Sequence, residues 1–235
     1  GSSNPAAAVA NAVTGNVVAG PVVTGNGLTV IIYQADGVTE LGRTTLDANG
    51  NFTVGVGTYT GVVIAKVIDA DGGLDYLDEA TNANKDLNAD LYAAGTVTGG
   101  TVTLNINPLT TVAYLKMGTN PSATTVNDTN TAVANAFGLT NLTGTTVIPT
   151  TSAAYNPADG LSNGEKYGAA LAALSGTDLN NGGNAQTTIN NLAAATPLWA
   201  LAPPSMPPDK PPSSVAQPPR RQWQRVTCTP PSAAF

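Results

Sequence analysis

The chain has 235 residues, 42% of them apolar, which is enough length and apolar content for a sizeable core. It contains no histidine, and Cys228 is its single cysteine, so Ser-His-Asp catalysis, His-ligated metal sites and a disulfide within residues 1–227 are excluded. The net charge is −6 at pH 7, and the acidic residues that outnumber the basic ones before residue 199 disfavour nucleic acid as a partner.

The first segment, residues 1–14, is expected to be flexible. Its opening letters, GSSNPAAA, are compatible with a removed leader, an expression tag or a lipidated cysteine upstream of Gly1. The chain contains no run of eighteen apolar residues, so the sequence predicts no transmembrane segment.

Residues 15–106 are predicted to form an antiparallel β-sandwich. Short Val- and Thr-rich runs, separated by Gly, Asn and Asp, are typical of strands; they read NVVAGPVV, LTVIIYQ, ELGRTTLD, NFTVGVGTY, GVVIAKVID and TVTGGTVTLNI. In DANGN (47–51) the Asn-Gly pair accepts positive φ. This pair predicts a tight hairpin turn.

Residues 107–196 are predicted to form a small helical subdomain, which makes the chain an α+β protein. Asn107 is a suitable N-cap with Pro108 in the first turn, and Asp128 is expected to cap a second helix. Ser162 and Glu165 form a capping box before the apolar face of a third helix. A weaker fourth helix is expected over AQTTINNLAAA.

Residues 197–235 form a segment of different composition, with eleven of the seventeen prolines. Proline blocks helices and central strands, so this Pro-rich tail is expected to be poorly ordered. One interpretation is a native polyproline-like tail. The other is translation out of frame, because the codons for residues 206–211, read two nucleotides later, can encode Ala-Ala-Gly-Gln-Ala.

The β-part resembles the bacterial Ig-like and carboxypeptidase-regulatory-like (transthyretin-like) sandwich modules of exported surface proteins and lipoproteins. The resemblance depends on Gly15-x-Val17, on Val30-x-Ile32-Tyr33 and on TTLDANGNFTV (44–54), in which Phe52 and Val54 are expected to point inward. It implies an extracellular building or adhesion module with a helical extension, and it supplies no catalytic residues.

The acidic stretch DADGGLDYLDE (69–79) is the main candidate for a functional site. Asp69, Asp71, Asp75 and Asp78 have a spacing similar to that of calcium loops in thrombospondin type-3 repeats, and a glycine turn can direct such carboxylates toward one hard cation. The stretch does not fit the EF-hand pattern, in which position 12 would be a glutamate rather than Ala80. The alternative is a solvated turn without a cofactor.

Two routes to catalysis without histidine remain. Glu79 with a neighbouring aspartate can be imagined as a glycosidase pair, although the chain has few aromatic residues on which sugar rings could stack. Ser162 and Lys166, four residues apart on a helix, are candidates for a Ser/Lys nucleophile, one residue longer than the familiar S-x-x-K spacing.

The sequence therefore favours a non-enzymatic structural or adhesion module, located outside the cell or on its surface. The expected partners are cell-surface glycans or neighbouring domains of a surface protein. A carbohydrate- or ligand-binding module is the first alternative, and a His-independent esterase or glycosidase that uses Ser/Lys or carboxylates is the second.

Overall fold

The structure, a computed structural model, describes residues 10–195. The predicted Pro-rich tail at 197–235 therefore lies outside the described residues, as does most of the N-terminal segment. Within them the chain forms nine strands, four α-helices and a short 3-10 helix (Pro157–Asp159). The strands are β1 (Asn11–Asn16), β2 (Leu28–Gln34), β3 (Glu40–Thr45), β4 (Asn51–Gly57), β5 (Gly61–Asp69), β6 (Tyr76–Asp78), β7 (Ala83–Lys85), β8 (Leu91–Val97) and β9 (Thr101–Thr103). The helices are α1 (Pro108–Lys116), α2 (Ala123–Ala136), α3 (Asn163–Asn180) and α4 (Ala185–Ala195).

The described strands form three sheets. The largest is antiparallel and has the order β3-β2-β5-β8. A three-stranded sheet has the order β4-β1-β9, in which β1 runs antiparallel to β4 and parallel to β9. The third sheet is the small β6-β7 hairpin. The α+β class predicted from the sequence is thus confirmed.

Burial along the strands follows their position in the sheets. In β4, Phe52, Val54 and Val56 are buried and the residues between them are exposed, which is the alternation of a strand with one covered face. The central strand β5 is buried almost continuously from Val62 to Ala65. Helices α1 and α2 pack beside β8, and α2 also reaches β5, so this sheet has little free surface there.

The predicted turn at 47–51 forms, but it does not make a hairpin. The N–H of Gly50 donates to the carbonyl of Asp47 at 3.1 Å, and Gly50 has a φ of 80°. However, β3 pairs with β2 and β4 pairs with β1, so the turn joins two different sheets. The hairpin prediction is wrong because turn chemistry is local, whereas the choice of strand partner depends on burial along the whole strand.

The helices begin where side chains satisfy their free N–H groups. Asn107 caps α1, and Ser162 with Glu165 forms the predicted capping box of α3. The predicted cap of α2 is wrong: Ser122 caps this helix, accepting from the N–H of Thr125 at 3.1 Å, and Asp128 lies inside it. The earlier start adds a turn that buries Val126.

One hydrophobic core joins the strands to the helices. Val13, Val30 and Ile64 from the sheets belong to the same buried cluster as Val112 of α1 and Leu171 of α3. The segment predicted to be flexible also contributes, because β1 begins at Asn11. Among the described residues, no helix is both long and apolar enough to cross a membrane.

Candidate cation site

The topology brings three parts of the chain together at one end of β5. Asp69 is the last residue of β5, and it pairs with Leu28 at the start of β2. The loop 70–75 leads into the β6-β7 hairpin, and the chain returns beside the loop immediately after β7. The backbone N–H of Asp75 donates to the carbonyl of Lys85 at 2.8 Å, which closes the base of the hairpin.

Side chains within the loop fix its curvature. Asp69 Oδ1 accepts hydrogen bonds from the N–H of Asp71 at 3.0 Å and of Gly72 at 3.3 Å, and Asp71 Oδ1 accepts from Gly73 at 2.8 Å. These are aspartate turns, in which a side chain accepts hydrogen bonds from backbone N–H groups two or three residues further along the chain. The hydrogen bond from the N–H of Asp71 is the main reason why the pKa of Asp69 lies below its usual value.

Gly27 provides the space for one of these carboxylates. The Asp71 carboxylate packs directly against Gly27, at a position where any Cβ would overlap its oxygens. Gly27 also has a φ of 65°, which disfavours a side chain there independently of the space.

Asp75 is the buried member of the group, with none of its surface exposed. Its Oδ2 accepts a hydrogen bond from the N–H of Leu87 at 2.7 Å, whereas its Oδ1 is buried without any hydrogen-bond partner. Burial raises the pKa of Asp75 to about 6; the Leu87 N–H acts in the opposite direction, and the charges of Asp69 and Asp86 raise the pKa further. An unpaired buried oxygen of this kind destabilises the fold unless a ligand satisfies it.

Asp69, Asp71 and Asp75 can hold a metal ion. One carboxylate oxygen from each lies within 4.8 Å of the other two. Oxygens on opposite sides of a bound Ca²⁺ are separated by roughly 5 Å, so one ion can contact all three carboxylates. Asp86, which follows β7, is a further charged neighbour, and its charge contributes to the raised pKa of Asp75. The sequence did not indicate Asp86, because only the pairing of two three-residue strands brings it to the loop.

The fourth predicted ligand, Asp78, belongs to a different cluster. It lies in β6, where its carboxylate forms a salt bridge with Lys85 Nζ at 2.7 Å and accepts hydrogen bonds from the hydroxyls of Thr81 and Ser175. Burial alone would raise its pKa, but the contacts with Lys85, Ser175 and Thr81 together lower the pKa of Asp78 to about 2. We therefore define the cation site by Asp69, Asp71 and Asp75, without Asp78.

The candidate catalytic residues have structural contacts of their own. Ser162 Oγ accepts from the N–H of Glu165 at 3.3 Å as the N-cap of α3, and Lys166 is exposed one turn later. Glu79 accepts a hydrogen bond from Thr150 Oγ1 at 2.7 Å, which ties the hairpin to the segment before α3.

Comparison of the sequence with models of known protein families and with curated proteins finds no match. The resemblance to Ig-like and transthyretin-like modules therefore stays a prediction.

Proposed function

We propose that the chain is a non-enzymatic structural or adhesion module of an exported bacterial surface protein, and that it is stabilised by Ca²⁺. The observation behind the proposal is the buried, unpaired Oδ1 of Asp75, which lies beside the carboxylates of Asp69 and Asp71. A cation would supply the missing partner and would neutralise the charges around Asp75 that raise its pKa.

Calcium is the cation that this chemistry favours. The candidate ligands are all carboxylate oxygens, and neither histidine nor a thiolate is available within the described residues to select zinc or copper. The loop is curved by hydrogen bonds and partly open, which suits the flexible coordination of Ca²⁺ better than the strict octahedron of Mg²⁺. Extracellular modules bind Ca²⁺ with dissociation constants of roughly 10⁻⁴–10⁻³ M, so an exposed ligand such as Asp71 is compatible with a useful affinity there.

A structural role is supported by the way in which the polar side chains are used. Ser162, Glu165 and Asn107 cap helices, and Glu79 and Asp78 attach the hairpin to the segments that pack on it. We propose that the two larger sheets belong to an Ig-like or transthyretin-like sandwich and that α1–α4 extend its core.

Thermal melting with calcium and with a chelator tests the cation site. At free calcium one hundred times the dissociation constant, binding adds about 2.7 kcal/mol to the free energy of unfolding. For a chain of this size the midpoint should then rise by roughly 5–10 °C. Asp71→Asn keeps the hydrogen-bond acceptor for Gly73 but removes a charged ligand, so the shift should shrink. Asp128→Asn, exposed on α2, is the matched control and should keep the full shift.

An unchanged midpoint of the wild-type protein on adding millimolar calcium would refute the cation site. The surface role is tested separately, by protease treatment of intact cells that produce the natural protein. Release of peptides from residues 10–195 is expected, and their complete protection in intact cells, with release after lysis, would refute surface exposure.

A further inference from the structure

The three-stranded sheet carries an open groove of about 710 Å³. Its floor is formed by the second half of β1 with the adjoining ends of β4 and β9. Its walls are the turn at 47–51 and the two irregular segments 17–22 and 146–149. This volume lies within the range of pockets that bind small ligands, roughly 300–1,000 Å³.

The floor of the groove carries two ordered rows of polar side chains. The strand register places Thr53, Thr14 and Thr103 side by side, and the hydroxyls of Thr14 and Thr53 are 3.0 Å apart. In the next row Asn16 Nδ2 donates to Asn51 Oδ1 at 2.8 Å and to the carbonyl of Asn49 at 2.9 Å. These contacts hold the amides in fixed orientations before any ligand arrives.

Hydrogen-bonding capacity is left over along these rows. Among the described residues no partner bonds to Asn16 Oδ1, to the Thr103 hydroxyl or to the side-chain amide of Asn49. An asparagine amide presents a donor and an acceptor side by side, and a hydroxyl offers both in one atom. Groups of this type can bind pairs of neighbouring hydroxyl groups on a ligand.

The charge of the groove selects against anionic ligands. Asp47 is the one ionisable side chain among the residues that line it, and neither lysine nor arginine is among them. Hydrogen bonds from the N–H groups of Asn51 and Asn49 are the largest causes of the lowered pKa of Asp47, so this side chain is ionised at neutral pH. The remaining lining is neutral, and it includes partly exposed apolar side chains that can contact C–H groups; these are Pro21, Val22, Val147 and Pro149.

The strand pairing also disfavours an extended peptide as the ligand. A peptide that joins a sheet needs an unpaired strand edge. The central strand of the groove, β1, already pairs with β4 on one side and with β9 on the other. A ligand that lies over β1 is therefore recognised by side chains rather than by a backbone ladder.

We propose that this groove is a binding site for a neutral, hydroxyl-rich glycan. The asparagine amides and threonine hydroxyls of the two rows bind the hydroxyl groups of the glycan. Val22 and Pro149 contact the C–H faces of the sugar rings, and the charge of Asp47 excludes acidic sugars. The residues that line the groove include none of the three aspartates of the cation site.

The test is binding of the calcium-loaded protein, residues 1–235, to a printed array of neutral and acidic glycans, followed by titration of the best neutral oligosaccharide. Asn49→Ala and Thr103→Val remove side-chain groups that make no hydrogen bond within the described part of the chain, so they should fold normally. Asn180→Ala and Thr101→Val are matched controls; the former lies at the end of α3, and the latter lies on β9 outside the groove.

We expect selective retention of neutral glycans and about tenfold weaker binding for each groove variant, with unchanged binding for both controls. Failure to retain any neutral glycan would overturn the proposal. Equal loss in the controls, or a preference for acidic glycans, would also overturn it. Melting curves of each variant with and without calcium report on the cation site independently, so failure of one proposal is distinguishable from failure of the other.

Discussion

Replacing Asp75 by asparagine should change the stability of the protein in opposite directions with and without calcium. Asparagine keeps an oxygen that accepts from the N–H of Leu87 and places an amide donor where the unpaired Oδ1 of Asp75 lies. That donor faces the acidic groups of Asp69 and Asp86, which raise the pKa of Asp75 in the native protein. The variant therefore removes a buried charge and offers a hydrogen-bond donor to the neighbouring carboxylates. It also loses a negatively charged cation ligand.

The size of the effect follows from the pKa of Asp75, which is about 6 in the folded protein and 3.8 without its surroundings. Below pH 3.8 the carboxyl group is protonated in both the folded and the unfolded chain. Between these two values the unfolded chain has lost the proton that the folded chain keeps, so stability falls as the pH rises. The difference of about two pKa units limits this loss to at most about 3 kcal/mol.

The assay is a set of melting curves for the wild type and for Asp75→Asn, near pH 4 and near pH 8, with chelator or with calcium. In chelator near pH 8 the variant should melt higher, by up to roughly 5–10 °C, and near pH 4 the difference should largely vanish. In saturating calcium the wild type should gain stability and the variant should not. A variant that melts below the wild type in chelator near pH 8 would refute the reasoning about the unpaired oxygen.

Three further changes test the cation site, the Asp78 cluster and the α3 cap separately. Gly27→Ala should weaken calcium binding about tenfold by displacing the Asp71 carboxylate, as measured by calorimetric titration; unchanged affinity would contradict that packing. Asp78→Asn should lower the free energy of unfolding by about 2 kcal/mol at neutral pH without changing calcium affinity. Because the pKa of Asp78 is lowered to about 2, this contribution is present above pH 4 and disappears as the pH falls toward 2, which denaturation at several pH values checks. Ser162→Ala should cost about 1 kcal/mol through loss of the α3 cap and leave any hydrolysis of a chromogenic ester unchanged.

The sequence predicts a strand well where an apolar run is bounded on both sides by turn residues. Gly61–Asp69 is an apolar run between turn residues, and it forms β5 with those limits. The turn at 47–51 was also predictable, but the sheets that it joins were not, because β3 pairs back with the preceding strand β2 whereas β4 pairs with β1, far away in sequence. Two acceptable caps, Ser122 and Asp128, precede the apolar part of α2, and only packing against the core decides between them.

Some acidic residues in and near the cation site were predictable from local sequence, and others depend on strand pairing. Asp69, Asp71 and Asp75 lie in one loop with glycines, so their convergence depends on local turns that the sequence indicates. Asp78 follows three residues after Asp75, but β6 pairs with β7 and brings Lys85 to Asp78 instead of the cation. Asp86 reaches the loop through that same pairing. Neither of these two outcomes can be read from strands of three residues, which are too short to show a hydrophobic period.

The position of the hairpin suggests what a cation would do for the fold. Asp75 precedes β6, and its backbone N–H donates to the carbonyl of Lys85 at the end of β7, so a cation bound to Asp75 would lie at the base of the hairpin. Within the hairpin, Asp78 accepts a hydrogen bond from Ser175 of α3, and Ser175 Oγ also accepts from the N–H of Ala80. A two-stranded hairpin of this length has little stability of its own. Calcium at its base would therefore stabilise the contact with α3, and through it the joint between the sheets and the helices.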